Sequence, residues 1–131
     1  MITVEVSRKD DAFAFEALDT NGHSLHLDAA EAIGGSNSGF RPMQGLLACL
    51  GGCSGIDVVS ILKKQRQPVG DLSMIIKGER EEGKEPALWK YIHVLFRFRG
   101  QTDEEKARKA CALSMDKYCS VAATLRAAGC T

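Results

Sequence analysis

Phe40-Arg41-Pro42-Met43-Gln44-Gly45-Leu46-Leu47-Ala48-Cys49-Leu50-Gly51-Gly52-Cys53-Ser54-Gly55-Ile56-Asp57-Val58-Val59-Ser60-Ile61-Leu62-Lys63-Lys64 reads as one long helix. Pro42 suits the first turn, where a missing N–H costs nothing. Lys63, Lys64 and Arg66 gather at the far end against the helix dipole, and Pro68 stops continuation. About 20 residues at ~1.5 Å each span ~30 Å, the width of a small domain. At about 100° per residue, one face carries Leu46, Cys49, Cys53, Asp57 and Ser60. The opposite face carries Gln44, Ala48, Gly51, Gly55, Val58 and Leu62, and no charge interrupts the helix before Asp57. A helix apolar nearly all round is expected to be buried on every side. Gly51, Gly52 and Gly55 each cost roughly 1 kcal/mol against Ala, which predicts that another backbone comes close. Cys53 is then either a small core residue or a buried thiol held at a packing seam.

Upstream of this helix, Ile2, Val4 and Val6 alternate with polar residues as a half-buried strand does. Asp10-Asp11 marks a turn, Phe13, Phe15 and Ala17 alternate in a second strand, and Ser24 to Leu27 supplies a third. Asn21-Gly22 between the last two is a strong hairpin signal. Ala29 to Gly39 reads as loop. Its Gly34-Gly35-Ser36-Asn37-Ser38-Gly39 run resembles a phosphate cradle, but no Lys-Ser/Thr follows and no compact parallel strand-turn-helix unit surrounds it. A mobile loop over a pocket is the better reading.

Downstream, Leu72, Met74 and Ile76 begin a strand running to about Arg80. Glu81 to Pro86 is a solvated turn. Tyr91 to Arg99 returns, with Ile92, Val94, Phe96 and Phe98 on one side and polar residues on the other. Thr102-Asp103-Glu104-Glu105 fits a capping box with Thr102 as cap. The helix it starts presents Ala107, Ala110, Cys111 and Ser114 and ends near Met115 to Tyr118. A last helix follows from Ser120 to Ala128, with Gly129 as its stop. The pattern is that of an α+β fold, a single domain over 1–131 with an antiparallel sheet wrapped on the long helix.

Charges balance at 17 against 17, so nothing steers the chain toward nucleic acid or an anionic membrane. The first residues lack the apolar core of a signal peptide. The uncharged part of the long helix falls short of a clean membrane span, which predicts a soluble, cytoplasmic protein. Five cysteines are an odd number without a secretory context, leaving core, redox or metal roles rather than a disulfide framework.

Two of these cysteines stand apart. Cys53 lies mid-way along the long helix. Cys119 enters the last helix, where a thiolate can accept bonds from free N–H groups and feel the positive end of the dipole. If the last helix packs on the long one, the two sulfurs meet; against this, free cysteine is among the most buried residue types and a core role is open to both. Cys49 is better read as a core residue, and a Cys49–Cys53 disulfide inside a helix is strained. A zinc site from Cys49, Cys53, Cys119 and a histidine lacks a second paired ligand motif. Cys111 lies on an inward stripe and Cys130 on a frayed tail. His23, His26 and His93 read as surface residues. Asp57 sits awkwardly, since a carboxylate one turn from Cys53 disfavours the thiolate unless a cation neutralises it. Arg41 is a candidate cation, but the helix puts it ~15 Å or more away along the axis, so only a partner chain or the loop closes that gap.

The run from Pro42 to Cys53 resembles the long-helix motif of the OsmC/Ohr family, roughly P-x-E-L-L-x-A-A-x-x-x-C. Tyr118-Cys119-Ser120-Val121 resembles its second cysteine motif, usually C-P-V-S. The order of elements is similar along essentially the whole chain. The resemblance implies an intertwined homodimer with its active sites at the subunit interface, and thiol peroxidase activity against hydroperoxides, organic ones especially. It implies Cys53 as the attacking thiolate and Cys119 as the resolving thiol, with an external dithiol restoring both and no cofactor or metal. An arginine and a glutamate orient thiolate and peroxide in the family. Here Arg41 is the candidate arginine, while Met43 and Gln44 stand where family members carry the glutamate. Gln44 can hydrogen-bond but not exchange a proton, and it points away from Cys53, toward a partner's site. Ser120 replaces the usual proline. These departures keep open a non-catalytic dimer of the same fold that binds a small apolar ligand, or a purely structural one.

Overall fold

The computed structural model describes residues 1–131. The chain forms two compact units, Met1–Leu46 and Leu47–Thr131. The first is an antiparallel meander of β1 (Glu5–Arg8), β2 (Phe15–Leu18) and β3 (Ser24–Leu27), in that spatial order. Asp10 makes the first turn, its Oδ1 accepting from the N–H of Ala12 at 2.9 Å and of Ala14 at 3.1 Å. Asn21-Gly22 makes the second, with Gly22 at φ +84° and Asp19 Oδ1 accepting from the N–H of Asn21 and of His23. Both turns and β3 are where the sequence puts them, but β1 and β2 start later than expected, at Glu5 and Phe15. Leu18 faces Glu5 across the ladder and Asp19 already turns away, so Ile2 to Val4 find no partner. Nor is β1 half-buried: all four of its residues are exposed.

The glycine-rich loop is tied down rather than mobile. Asp28 is only 2% exposed, and its carboxylate accepts from Ala29 N, Ser36 N, Ser38 N and Ser38 Oγ. The Ser38 hydroxyl and N–H are the main cause of a carboxyl held down at about 2. Acceptance of several N–H and O–H bonds favours the charged form. Leu27 and Phe40 close the loop's base through an isolated parallel bridge.

Helix α1 (Pro42–Lys64) dominates the second unit. Its Leu50, Ser54, Val58 and Leu62 recur every four residues and are buried, the spacing of one helix face. Strands β4 (Asp71–Arg80) and β5 (Trp89–Arg99) form a separate antiparallel sheet with Leu72 opposite Phe98, Met74 opposite Phe96 and Ile76 opposite Val94. Two cores result. Leu50, Cys119 and Ala122 are packed by Ile76, Ile92 and Val94, while Val58, Leu62 and Ala110 are packed by Leu72, Phe96 and Phe98.

The helix glycines follow this geometry, though not by backbone approach. A Cβ on Gly51 would lie 2.7 Å from Ile76 Cδ1, and one on Gly55 2.9 Å from Met74 Cε. Side chains of β4 occupy the space; Gly52 meets nothing. The expected all-round burial is also absent within one chain, because the sheet and the later helices cover one side only. Cys49, Gly52, Ser60 and Ile56, the last at 73%, are exposed. By length and composition alone α1 is long and apolar enough to cross a membrane, contrary to expectation. Its buried stripe against β4 and β5, and a polar contact of Asp57 described below, are those of a core helix.

Helix α2 (Glu104–Leu113) is capped by Asp103, whose side chain accepts from Lys106 N at 3.0 Å. Thr102, the expected cap, instead donates its hydroxyl to the carbonyls of Pro68 and Val69. One wide π-helical turn (Ser114–Tyr118) leads to α3 (Ser120–Ala127). The end of the chain is not frayed: Thr131 exchanges backbone hydrogen bonds with Lys90 and Ile92 of β5, and Cys130 is buried.

Candidate functional site

Cys53 lies one turn beyond Leu50 on α1, partly buried against the Leu50–Cys119–Ala122 core. Cys119 leaves the helical conformation (φ −72°, ψ 106°) and caps α3, its Sγ accepting from Ala122 N at 3.4 Å. The N-terminal position read from the sequence is thus realised. The Sγ atoms of Cys53 and Cys119 and a carboxylate oxygen of Asp57 all lie within 4.8 Å of one another. Neither sulfur is in a disulfide.

The wide turn sets this up. Cys119 N donates to Ser114 O at 2.8 Å, and the turn aims the hydroxyl of Ser114 at α1. Such single π turns recur at functional sites. Ser114 is fully buried, and its Oγ donates to Asp57 Oδ2 at 3.0 Å while lying 3.4 Å from Ser54 O. Asp57 opens on its other side into a groove of about 490 Å³ lined also by Ile61, Lys64, Leu113 and Tyr118. Burial pushes the Cys119 thiol up from its ordinary value; the Ala122 N–H opposes this in part and the neighbouring Cys53 adds to it. Cys119 is therefore an S–H group at neutral pH.

Arg41 and Gln44 form another cluster. The Arg41 guanidinium donates to Gly39 O at 2.9 Å and to Asn37 Oδ1 at 2.6 Å. Gln44 Oε1 accepts from Arg41 N at 3.4 Å, the returning half of a capping box at the start of α1. Arg41 thus braces the loop before the helix. The zinc grouping does not assemble, since Cys49 is exposed and neither it nor a histidine joins Cys53 and Cys119. Cys111 and Cys130 stay apart, their thiols also raised by burial. The shared face of Cys53 and Asp57 follows from their i, i+4 spacing, but the hydrogen bond of Ser114 to Asp57 crosses between helices and has no local signal in the sequence.

The family model described as OsmC-like protein matches residues 35–131, which include both cysteines. The chain belongs to the OsmC-like family. It is 38% identical over 122 residues to the protein YhfA of Escherichia coli K12, covering 90% of this chain and 85% of YhfA. Among solved structures, a hypothetical protein from Aquifex aeolicus VF5 superposes with a TM-score of 0.81 at 34% identity, over 97% of this chain and 88% of that one. An organic hydroperoxide resistance protein OsmC from Legionella pneumophila gives 0.70 at 16% identity, over 96% and 89%. That last likeness shows the α+β OsmC fold: antiparallel sheets with a long helix.

Proposed function

We propose that this OsmC-like protein is a thiol peroxidase that reduces organic hydroperoxides through Cys53 and Cys119. The observation that carries the reading is the approach of the two sulfurs within 4.8 Å beside an open groove. Cys53, as thiolate, attacks the distal oxygen of R–O–OH. The O–O bond breaks, the alkoxide leaves as alcohol with a proton, and sulfur becomes sulfenic acid. Cys119 then attacks that sulfur, forming the disulfide and releasing water. An external dithiol reduces the disulfide and is itself oxidised. The Legionella relative, named for organic hydroperoxide resistance, supports the substrate class.

The same reading makes the protein a cytoplasmic homodimer in which the single OsmC-like domain, 1–131, is one protomer. In support, Cys49, Gly52 and Ile56 are exposed along one face of α1, Ile56 at 73%, a face suited to a second copy. Arg41 and Gln44 are assigned to the opposite subunit's site, where they orient peroxide without exchanging a proton. Mixing reduced protein with cumene hydroperoxide should remove two thiols per chain. Cys53→Ser should lose none rapidly, and Cys119→Ser should stop at the sulfenic acid. Unchanged thiols in the wild type, or full turnover in both variants, overturns the reading. Arg41→Ala should slow the first step.

A second reading is favoured by Met43 and Gln44, which leave the start of α1 without the family carboxylate. The fold then serves as a binding protein for a small apolar ligand, and the open apolar space along Gly55, Ile56, Val59 and Met74 suits it. Native mass spectrometry showing a retained small molecule, with both thiols inert to peroxide, selects this alternative.

A further inference from the structure

We infer that Asp57 is the proton carrier of the step that joins the two sulfurs, taking the proton of the Cys119 thiol and returning it to the oxygen that leaves Cys53. The inference rests on the two-cysteine reading and assigns a role to a carboxylate that the reading leaves unused. Three observations place it. An Asp57 oxygen lies within 4.8 Å of both sulfurs. The fully buried hydroxyl of Ser114 donates to Oδ2 and fixes the carboxylate's direction. And neither Met43 nor Gln44, where the family resemblance leads one to look for a carboxylate, can accept a thiol proton.

The balance of the step shows why an acceptor is needed. Before it, Cys53 carries S–OH and Cys119 carries S–H. Asp57 removes the Cys119 proton; the thiolate so formed attacks the Cys53 sulfur; the S–S bond forms as the S–O bond breaks. The departing hydroxide takes the proton back from Asp57 and leaves as water. Cys119 sulfur is oxidised, Cys53 sulfur is reduced from the sulfenic level, and no other reactant enters. Because burial holds the Cys119 thiol protonated, the step without a base waits on a scarce thiolate. Asp57 therefore acts at resolution, where the protonated thiol needs a base, and not at peroxide attack.

The groups facing Asp57 are few. Cys53 lies on its own helix, Cys119 and Ser114 come from the π turn and its end, and Lys64 and Tyr118 line the same groove. The sheet residues packed on this core, Ile76, Ile92 and Val94, carry no charge. Lys64 and Tyr118 are thus the other titratable neighbours whose protonation bears on the pH profile.

The decisive experiment separates the two steps in wild type, Asp57→Asn, Asp57→Glu and Ser114→Ala, all in a Cys49→Ser background that removes the exposed thiol. Reduced protein is mixed with cumene hydroperoxide; sulfenic acid is trapped with dimedone and disulfide is read by non-reducing mass spectrometry. Asp57→Asn should form sulfenic acid at least as fast as wild type and disulfide slower by on the order of a hundredfold. Its disulfide rate should rise about tenfold per pH unit, following the free thiolate, where the wild-type rate is flatter. Asp57→Glu should recover part of the rate, and Ser114→Ala should lose several-fold at the second step alone. Equal disulfide rates in wild type and Asp57→Asn, or an equal slowing of both steps, overturns the inference. A peroxide-free arm keeps it distinct from the peroxidase reading. One equivalent of DTNB caps Cys53, and attack by Cys119 releases a second thionitrobenzoate at a rate Asp57→Asn should lower. Slow release there with no peroxide reactivity in the wild type removes the peroxidase reading and leaves Asp57 as the base; unchanged release removes the inference.

Discussion

Residues 1–46 and 47–131 are built on different principles. In the first, Val4, Phe15, Leu25 and Phe40 are exposed and the one buried polar side chain, Asp28, organises the loop by hydrogen bonds. In the second, Leu50, Val58, Leu62 and Ala110 are buried and the sheet residues of β4 and β5 pack onto them. One region is held by turn chemistry, the other by apolar burial. Hydrogen bonds contribute modestly and locally, whereas burial contributes in proportion to area and acts cooperatively. The Cys53–Cys119 pair belongs to the second kind, because a fixed sulfur–sulfur approach needs packed elements behind it.

The contrast can be broken most severely at Leu62, which is fully buried. Leu62→Ala should cost about 3 kcal/mol, read as a lower urea midpoint, and should raise hydrogen exchange across 47–131. A loss below ~0.5 kcal/mol would mean the second region does not depend on its core. Next in size is Gly51→Ala. Its new Cβ meets the movable tip of Ile76, so overpacking of about 1–2 kcal/mol set against a helix gain of ~1 kcal/mol should leave a net loss of up to about 1 kcal/mol. Gly52→Ala should instead fold at least as well in the monomer, since nothing lies near and Ala favours a helix by ~1 kcal/mol. Equal effects at the two glycines would contradict the one-sided packing of α1.

Asp103→Ala should cost about 1 kcal/mol by uncapping α2, with Thr102→Ala leaving the cap intact; the reverse order would restore Thr102 as the cap. The smallest effect on global stability is expected at Asp28. Asp28→Asn should raise the exchange of the Ser36 and Ser38 amides roughly tenfold with the urea midpoint barely moved. The carboxyl sits at about 2, against 3.8 for a free one. Its contribution is therefore fully present above pH ~4 and fades as pH falls through about 2. Amide protection of the loop, followed by NMR on acidification, checks this, and loss already at pH 5 would refute it.

Local chemistry was legible along the chain. The Asp10 and Asn21-Gly22 turns, the period of β5, the extent of α1 and the capping position of Cys119 all follow from neighbours within a few residues. Structure and local pattern part where a partner distant in sequence wins. Thr102 gave up its cap because the Pro68 and Val69 carbonyls compete for its hydroxyl. The expected mobile loop is pinned by Asp28, and Cys130 is buried because Thr131 pairs with β5. Helix α1 is exposed at Cys49, Gly52, Ile56 and Ser60 despite its apolar composition, which does not say how many sides one chain can cover.

The amino-acid order alone determined the α+β class, the long cysteine helix and the second thiol at a helix start, because each rests on short-range periodicity and backbone valence. Tertiary structure decided which groups meet. Only packing of the π turn and α3 against α1 brings Cys119 and Ser114, more than fifty positions away in the chain, to Cys53 and Asp57. Such distances depend on how side chains fill space, which no local pattern encodes.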